Sequence, residues 1–126
     1  MLTQTDLFNH PFLHPTPFVL VDFSAPWCGL CRYVQPITSR MAEEWGGSLS
    51  VVRVNADQDF LLAHHYRIRT LPTLLLLRDG VEIERLSHFS SREDLIHRCE
   101  TLILKHLYPS SMVAPPQEAY QRVMEE

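Results

Sequence analysis

The amino-acid sequence predicts an α/β domain in which helices flank a central, mixed β-sheet. An apolar run over 18–23 is followed by a helical pattern over 28–45 and by a second strand-like stretch over 49–55, which is the order of a βαβ unit. A β-hairpin is predicted over 73–86, where the turn pair Asp79-Gly80 separates two strand-like stretches. A final amphipathic helix would then pack on the sheet.

The composition of the 126-residue chain narrows the classes of function. Its formal net charge of -4 leaves no basic stripe of the kind that nucleic-acid binding requires, so we expect no nucleic-acid partner. No apolar run approaches membrane-spanning length, and residues 1–9 contain neither a basic leader nor an apolar signal core. We therefore expect a cytoplasmic protein, in a reducing compartment, with no membrane partner.

The first strand and the first helix meet at a cysteine pair. Residues Phe18–Phe23 are apolar on both faces, which is typical of a central strand and favours parallel pairing. The helix predicted over 28–45 contains Pro36, which removes one hydrogen bond and is expected to bend the axis. Gly46-Gly47 would end this helix.

Turn and capping signals predict the second half of the domain. A short helix is expected over 59–66. Ser90 and Glu93 have the spacing of a capping box, in which each side chain accepts from the other residue's backbone N–H, and apolar residues then recur at helical spacing as far as His106. Near the N-terminus, a short amphipathic helix is expected over 5–10.

The chain divides into one predicted domain, residues 1–108, and a C-terminal linker and tail, residues 109–126. Proline and serine give 109–116 the composition of a linker, and 117–126 has an amphipathic pattern that would form a last turn or two of helix. We interpret this extension as a mobile appendage. The alternative is a tail that folds back over its own domain.

Cys28 and Cys31 are the clearest candidates for chemistry. On a helix, residues three apart have Cβ atoms about 5 to 6 Å apart, close enough for a disulfide with little backbone movement. Cys28 would lie at the helix N-terminus, where unpaired N–H groups and the helix dipole favour the nucleophilic thiolate. The pair therefore predicts a redox centre with Cys28 as the attacking sulfur. Cys99, on the apolar stripe of the last helix, is interpreted as a core residue.

Metal binding is the main alternative role for this cysteine pair. A zinc site needs four ligands, and the sequence contains no second C-x-x-C to complete one. A composite site would depend on where the fold places the scattered histidines. We favour redox exchange and predict no metal site and no cofactor, while a metal or iron-sulfur carrier and inert packing stay open. The seven histidines are His10, His14, His64, His65, His88, His97 and His106.

Asp22 is anomalous because it places a carboxylate inside an apolar strand. Burial raises the pKa of such a group, which makes Asp22 a candidate proton acceptor for Cys31 near neutral pH. Arg53, in the second predicted strand, would modulate Asp22 by favouring its charged form, since a guanidinium does not lose its own proton. The alternatives are an aspartate that caps the following turn and an arginine that points outward.

The chain resembles the thioredoxin family in the pattern V-D-F-S-A-P-W-C-G-L-C-R over 21–32. The similarity continues through N-A-D at 55–57, R-T-L-P-T at 69–73 and D-G at 79–80, and it covers roughly residues 5–106. This resemblance implies the thioredoxin fold and a redox-active disulfide. It also implies disulfide-containing target proteins and an external reductase, the electron donor, as partners.

The resemblance implies a role for each matching residue. Cys28 would attack a target disulfide, Cys31 would resolve the mixed disulfide, and Asp22 would assist proton transfer. Pro72 would be cis beside the cysteines and turn the backbone of Leu71 toward an extended substrate segment. The substrate-contacting residues would be Trp27, Gly29, Leu30, Leu71, Pro72 and His88.

Four positions depart from the family pattern. Leu30 replaces the usual proline between the cysteines, Ser24 a tryptophan, Arg53 a lysine, and His88 a glycine of the substrate-contacting loop. Leu30 loosens a turn that proline would stiffen, and we expect it to move the reduction potential toward the oxidising side. Leu30 and His88 also lie where a reductase would dock, which puts recognition by an ordinary reductase in question.

We interpret the sequence as that of a thiol-disulfide oxidoreductase that reduces protein disulfides through a Cys28/Cys31 dithiol. One alternative is a protein-binding module of the same fold in which redox chemistry is secondary. Another is a metal or iron-sulfur carrier that uses the C-x-x-C across a dimer.

Overall fold

A four-stranded mixed sheet forms the centre of the domain in the computed structural model, which describes residues 16–108. The strands are β1 (Phe18–Ser24), β2 (Leu49–Asn55), β3 (Thr73–Arg78) and β4 (Val81–Leu86). Their order is β2-β1-β3-β4, with β1 parallel to β2 and antiparallel to β3, and with β3 antiparallel to β4. The predicted α/β class with a mixed sheet is confirmed.

Helices connect and flank these strands. Within residues 16–108 the α-helices are α1 (Val34–Glu44), α2 (Phe60–His65) and α3 (Arg92–Leu102). A 3-10 helix (Leu30–Tyr33) precedes α1, and a π-helical turn (Ile103–Leu107) follows α3. The helix predicted over 5–10 and the extension over 109–126 lie outside the described residues.

The prediction of a single helix over 28–45 is wrong for residues 28–33. The chain enters the 3-10 helix only at Leu30, with Gly29 as its N-cap, and becomes α-helical at Val34. Pro36 therefore lies in the first turn of α1, where an N–H has no acceptor within that helix and a proline is tolerated. The helix ends at Glu44, next to the predicted glycine stop.

The hairpin between β3 and β4 turns where the sequence predicts. Asp79 and Gly80 both have positive φ, 50° and 85°, which is the conformation of a two-residue type I′ turn. Aspartate and glycine are among the residues that adopt it at the lowest steric cost. This turn returns the chain so that Val81 pairs with Arg78.

The capping box of α3 lies one residue later than predicted. The N-cap is Ser91, not Ser90, and its hydroxyl accepts from the Asp94 N–H at 3.0 Å. The Asp94 carboxylate accepts in turn from the Ser90 N–H at 3.0 Å. Either of the two consecutive serines fits the sequence pattern of a capping box. Asp94 replaces the predicted Glu93 in this motif, because it is the Asp94 carboxylate that accepts a backbone N–H from before the helix.

The two faces of β1 pack into two separate cores. Phe18 and Leu20 face α1 and α3, whereas Val21 and Phe23 face α2, since successive side chains of a strand point to opposite sides. Cys99 lies in the first core and is 2% exposed, as predicted for a packing residue. No helix in the described part of the chain is both long and apolar enough to span a membrane.

Candidate active site

The predicted site residues lie at one end of the sheet. Phe23 near the end of β1 pairs with Thr73 at the start of β3, so Cys28, which follows β1, and Pro72, which precedes β3, emerge at the same end. The loop that contains His88 follows the end of β4 and also emerges there, because β4 pairs antiparallel with β3. The sheet register therefore brings three distant stretches of sequence to one edge.

Cys28 and Cys31 form a disulfide with their Cα atoms 5.3 Å apart. Cys28 lies just before the 3-10 helix, is half-buried, and donates its N–H to the Ala25 carbonyl at 3.2 Å. Cys31 is inside that helix and is 2% exposed. The pair is thus asymmetric, with one sulfur-bearing residue open to a partner and the other one turn deeper.

Asp22 is buried on β1, with an exposed fraction of 1%. Its Oδ1 accepts a hydrogen bond from Ser24 Oγ at 2.5 Å, and its Oδ2 lies 3.7 Å from Arg53 Nε. Arg53 is paired with Asp22 in the register of β1 and β2, although its side chain is 43% exposed. Among residues 16–108, no donor makes a hydrogen bond to Oδ2.

Burial raises the pKa of the Asp22 carboxyl, as the sequence predicts. The Ser24 hydrogen bond and the Arg53 charge both oppose this by stabilising the carboxylate, but burial outweighs them. The sequence alone does not decide whether burial or the Arg53 charge has the larger effect on the pKa of Asp22. In the structure burial has the larger effect, so the pKa is raised. A raised pKa is what a proton acceptor needs if it is to work near neutral pH.

Trp27 presents its ring to solvent beside the cysteine pair. It is 70% exposed, and its Nε1 donates to Asp57 Oδ2 at 2.9 Å. The Trp27 side chain is therefore not part of either core. An aromatic ring held at the surface by one hydrogen bond has the character of a contact surface, because apolar area and a fixed orientation are both available to a partner.

The remaining predicted contact residues lie in the loops around the pair. The Leu71-Pro72 peptide bond is cis, with Leu71 half-buried and Pro72 buried. His88 is exposed and has φ 56°, in the left-handed region that glycine favours. A glycine, which the family pattern has at this position, adopts this conformation without the steric cost that a residue with a Cβ carries. Gly29 is exposed and Leu30 is half-buried.

Reasoning from the sequence missed two side chains that complete this arrangement. In the sequence Ser24 is only a departure from the family pattern, yet its hydroxyl donates a hydrogen bond to the buried Asp22 carboxylate. The alternation of a strand would have indicated this, since Ser24 is two residues from Asp22 and shares its face. In the sequence Asp57 is only part of the matching N-A-D pattern, and no local signal links it to Trp27, 30 residues earlier.

The described part of the chain shows no candidate metal centre. Within residues 16–108, no three His, Cys, Asp or Glu side chains come together in a way that would hold a metal ion.

The chain is similar in sequence to known proteins. Residues 1–101 match the sequence model of the Thioredoxin family. The chain is 40% identical over 77 residues to thioredoxin 1 of Synechococcus elongatus, which covers 61% of this chain and 72% of that protein. It is 46% identical over 66 residues to the thioredoxin of Porphyra purpurea, covering 52% of this chain and 62% of that protein, less than two thirds of its length.

The fold is similar to solved thioredoxin structures. The X-ray structure of Fasciola hepatica thioredoxin superposes with a TM-score of 0.62 at 29% identity, over 71% of this chain and 80% of that one. Together with the cysteine pair at disulfide distance, these matches establish that the chain belongs to the thioredoxin family and is a thiol-disulfide oxidoreductase.

Proposed function

We propose that the protein reduces disulfides of target proteins, with Cys28 as the nucleophile, Cys31 as the resolving thiol and Asp22 as the proton acceptor. The asymmetry of the cysteine pair is the observation that supports this assignment most directly. Cys28 is half-buried, whereas Cys31 is buried, so an incoming disulfide reaches Cys28 first.

The exchange proceeds in two steps that transfer two electrons to the target. The Cys28 thiolate attacks one target sulfur, a Cys28–target bond forms as the target disulfide breaks, and the second target sulfur leaves as a thiolate. Cys31 then loses its proton and attacks the Cys28 sulfur. The Cys28–Cys31 bond forms and the first target sulfur leaves, so the target is reduced and the pair is oxidised.

Asp22 is proposed to take the Cys31 proton in the second step. Both residues are buried, and the raised pKa of Asp22 makes its carboxylate a stronger base than an exposed aspartate. Ser24 and Arg53 modulate this base, because both oppose the rise in its pKa that burial causes. A carboxyl that is never ionised accepts no proton, so the balance between burial and these two contacts sets the useful pH range.

The loops around the pair are proposed to hold the target. Trp27 offers an exposed ring, and the half-buried Leu71, next to the cis bond, offers backbone groups to an extended segment. Gly29, Leu30, Pro72 and His88 complete this proposed surface. An external reductase would return two electrons to the pair, and the cytoplasm is the proposed compartment. The division into a domain, 1–108, and a tail, 109–126, stays a prediction.

A trapping experiment tests the roles of the two cysteines. With Cys31→Ser, the first step can occur but the second cannot, so Cys28 should hold target proteins as mixed disulfides that dithiothreitol releases. The matched control, Cys28→Ser, should trap none or far fewer, because its two remaining thiols, Cys31 and Cys99, are both buried. Mixed disulfides on Cys28→Ser but not on Cys31→Ser would reverse the two roles.

Turnover separates the oxidoreductase from the binding-module alternative. Wild-type protein should accelerate the reduction of insulin by dithiothreitol, and Cys28→Ser should abolish this acceleration. A wild-type protein that gives no acceleration, yet still binds a partner equally well with Cys28→Ser, would favour the binding module.

A further inference from the structure

Arg32, Tyr33 and Arg92 form a cationic cluster next to the redox pair. The Tyr33 ring is 39% exposed, and the guanidinium carbons of Arg32 and Arg92 each lie 5.8 Å from its centroid. The two arginines come from different elements, the 3-10 helix and the first residue of α3. The fold therefore places two positive charges beside one surface ring.

Acidic side chains among residues 16–108 do little to neutralise these two charges. Arg92 has one acidic neighbour, Glu93 at 3.8 Å, and both side chains are more than half exposed, so this contact is weak. In the described part of the chain, no carboxylate lies within 4.0 Å of a nitrogen of Arg32. The cluster is thus locally positive in a chain whose formal net charge is -4.

The cluster is also fixed close to the reacting sulfurs. Arg32 follows Cys31 directly, and its Nε donates to the carbonyl of Gly29, between the two cysteines, at 3.0 Å. This hydrogen bond holds the Arg32 side chain against the loop that a target disulfide must approach. An anion bound by the cluster would therefore belong to the part of the target that flanks its disulfide.

We propose that this cluster binds a carboxylate of the target protein and so selects targets with an acidic side chain beside the disulfide. The proposal rests on the proposed function, since it names the class of target that the same site reduces. A guanidinium matches a carboxylate in shape and charge and binds it through two parallel hydrogen bonds. A carboxylate bound beside the Tyr33 ring is attracted by both positive charges.

The test uses two cyclic peptide disulfides that differ only at the residues flanking one half-cystine, Glu in one peptide and Gln in the other. We expect the wild-type protein to reduce the Glu peptide with about a fivefold higher kcat/KM at low salt, equivalent to about 1 kcal/mol. The preference should shrink as salt screens the charges. With Arg32→Gln and Arg92→Gln combined, the ratio should fall to about one.

Arg78→Gln is the matched control. Arg78 is an exposed arginine whose guanidinium carbon lies 5.3 Å from the ring centroid of Phe18, at the opposite end of β1 from the cysteines. Its removal should leave the peptide ratio unchanged. The ratio is internal to each protein, so a general loss of activity in a variant cancels.

Two results would overturn the proposed anion site. One is a wild-type protein that reduces both peptides equally well, and the other is a preference that survives in the double variant. Failure of the proposed function looks different, since neither peptide would then be reduced by any of these proteins.

Discussion

Ser24 and Asp22, two residues apart on one face of β1, are joined by a hydrogen bond in which the serine hydroxyl donates to the buried carboxylate. A donor stabilises the charged form of a carboxyl, so this contact opposes the rise in the pKa of Asp22 that burial causes. Ser24 is itself 5% exposed, which excludes most of the water that would otherwise weaken the bond. The serine is therefore a positioning residue for the proposed proton acceptor.

Ser24→Ala should raise the pKa of Asp22 further, because the carboxylate loses its hydrogen-bond donor while burial stays. The carboxyl carbon resonance of Asp22, followed by NMR against pH, reports this directly. Resolution of the mixed disulfide should need a correspondingly higher pH, since the carboxylate that accepts the proton then forms only at a higher pH.

Ser50→Ala is the control for this substitution. Ser50 is a half-buried serine on β2 whose hydroxyl accepts from Thr16, and it makes no contact with Asp22. It should leave the titration of Asp22 as in the wild type. An unchanged Asp22 titration in Ser24→Ala would show that the hydroxyl has no effect on the carboxylate.

The sequence predicts the parts of this site that depend on local pattern. The apolar neighbours of Asp22 predict its burial, and the C-x-x-C spacing predicts the Cys28–Cys31 bond. The contact with Arg53 depends instead on the register between β1 and β2, which is set by packing across the sheet and not by any local signal.

The ends of the helices are likewise predicted only in part by the local sequence pattern. The helical pattern over 28–45 does not separate a 3-10 turn from an α-helix, because both place apolar residues at similar spacing. The cap of α3 falls on Ser91 and not on Ser90, since Ser91 is the residue whose hydroxyl accepts from the Asp94 N–H. A sequence pattern therefore places helix ends only to within one or two residues.

Asp22→Asn should stabilise the protein at pH values above the raised pKa of Asp22. The folded-state pKa of Asp22 is raised above its ordinary value of 3.8, so the folded state holds the proton more tightly than the unfolded state. Stability of the wild type is therefore lost as pH rises from about 3.8 through the raised pKa, and the penalty is absent below 3.8. Asparagine has no charge to bury and escapes this loss.

The difference should appear in urea unfolding between pH 3 and pH 9. We expect Asp22→Asn to gain about 1–3 kcal/mol over the wild type above the raised pKa, the range typical of an incompletely satisfied buried polar group. Glu43→Gln, an exposed acid on α1, is the control and should give no such pH-dependent gain. The same Asp22→Asn protein should resolve mixed disulfides about 100-fold more slowly. A variant less stable than the wild type at high pH would contradict the buried-charge argument.

Leu30→Pro should make the disulfide harder to reduce. Leu30 is the first residue of the 3-10 helix, where proline has a suitable φ and where no N–H is needed inside the helix. Proline restricts the reduced loop, so closing the disulfide loses less conformational entropy. Such a restriction is worth about 0.4–1 kcal/mol, which corresponds to a reduction potential lower by about 10–20 mV.

Equilibration with glutathione buffers measures this potential. Leu30→Ala is the control, because it removes the side chain without stiffening the backbone, and it should not lower the potential. Equal shifts in the two variants would assign the effect to the bulk of Leu30, and a higher potential in Leu30→Pro would contradict the entropy argument.

Cys99 should resist alkylation as long as the protein is folded. Its thiol is 2% exposed, and burial raises its pKa to about 12, with the Asp22 and Glu100 charges adding to the rise and Arg98 opposing it. Since only the thiolate reacts, about one thiol in 10,000 is reactive at pH 8. In the reduced native protein, iodoacetamide should label Cys28 first and leave Cys99 unlabelled, as peptide mass spectrometry would show. In guanidinium chloride all three cysteines should react, which checks that the reagent reaches each of them. If Cys99 of the native protein were labelled as fast as Cys28, α3 would have to open and expose the core around Cys99.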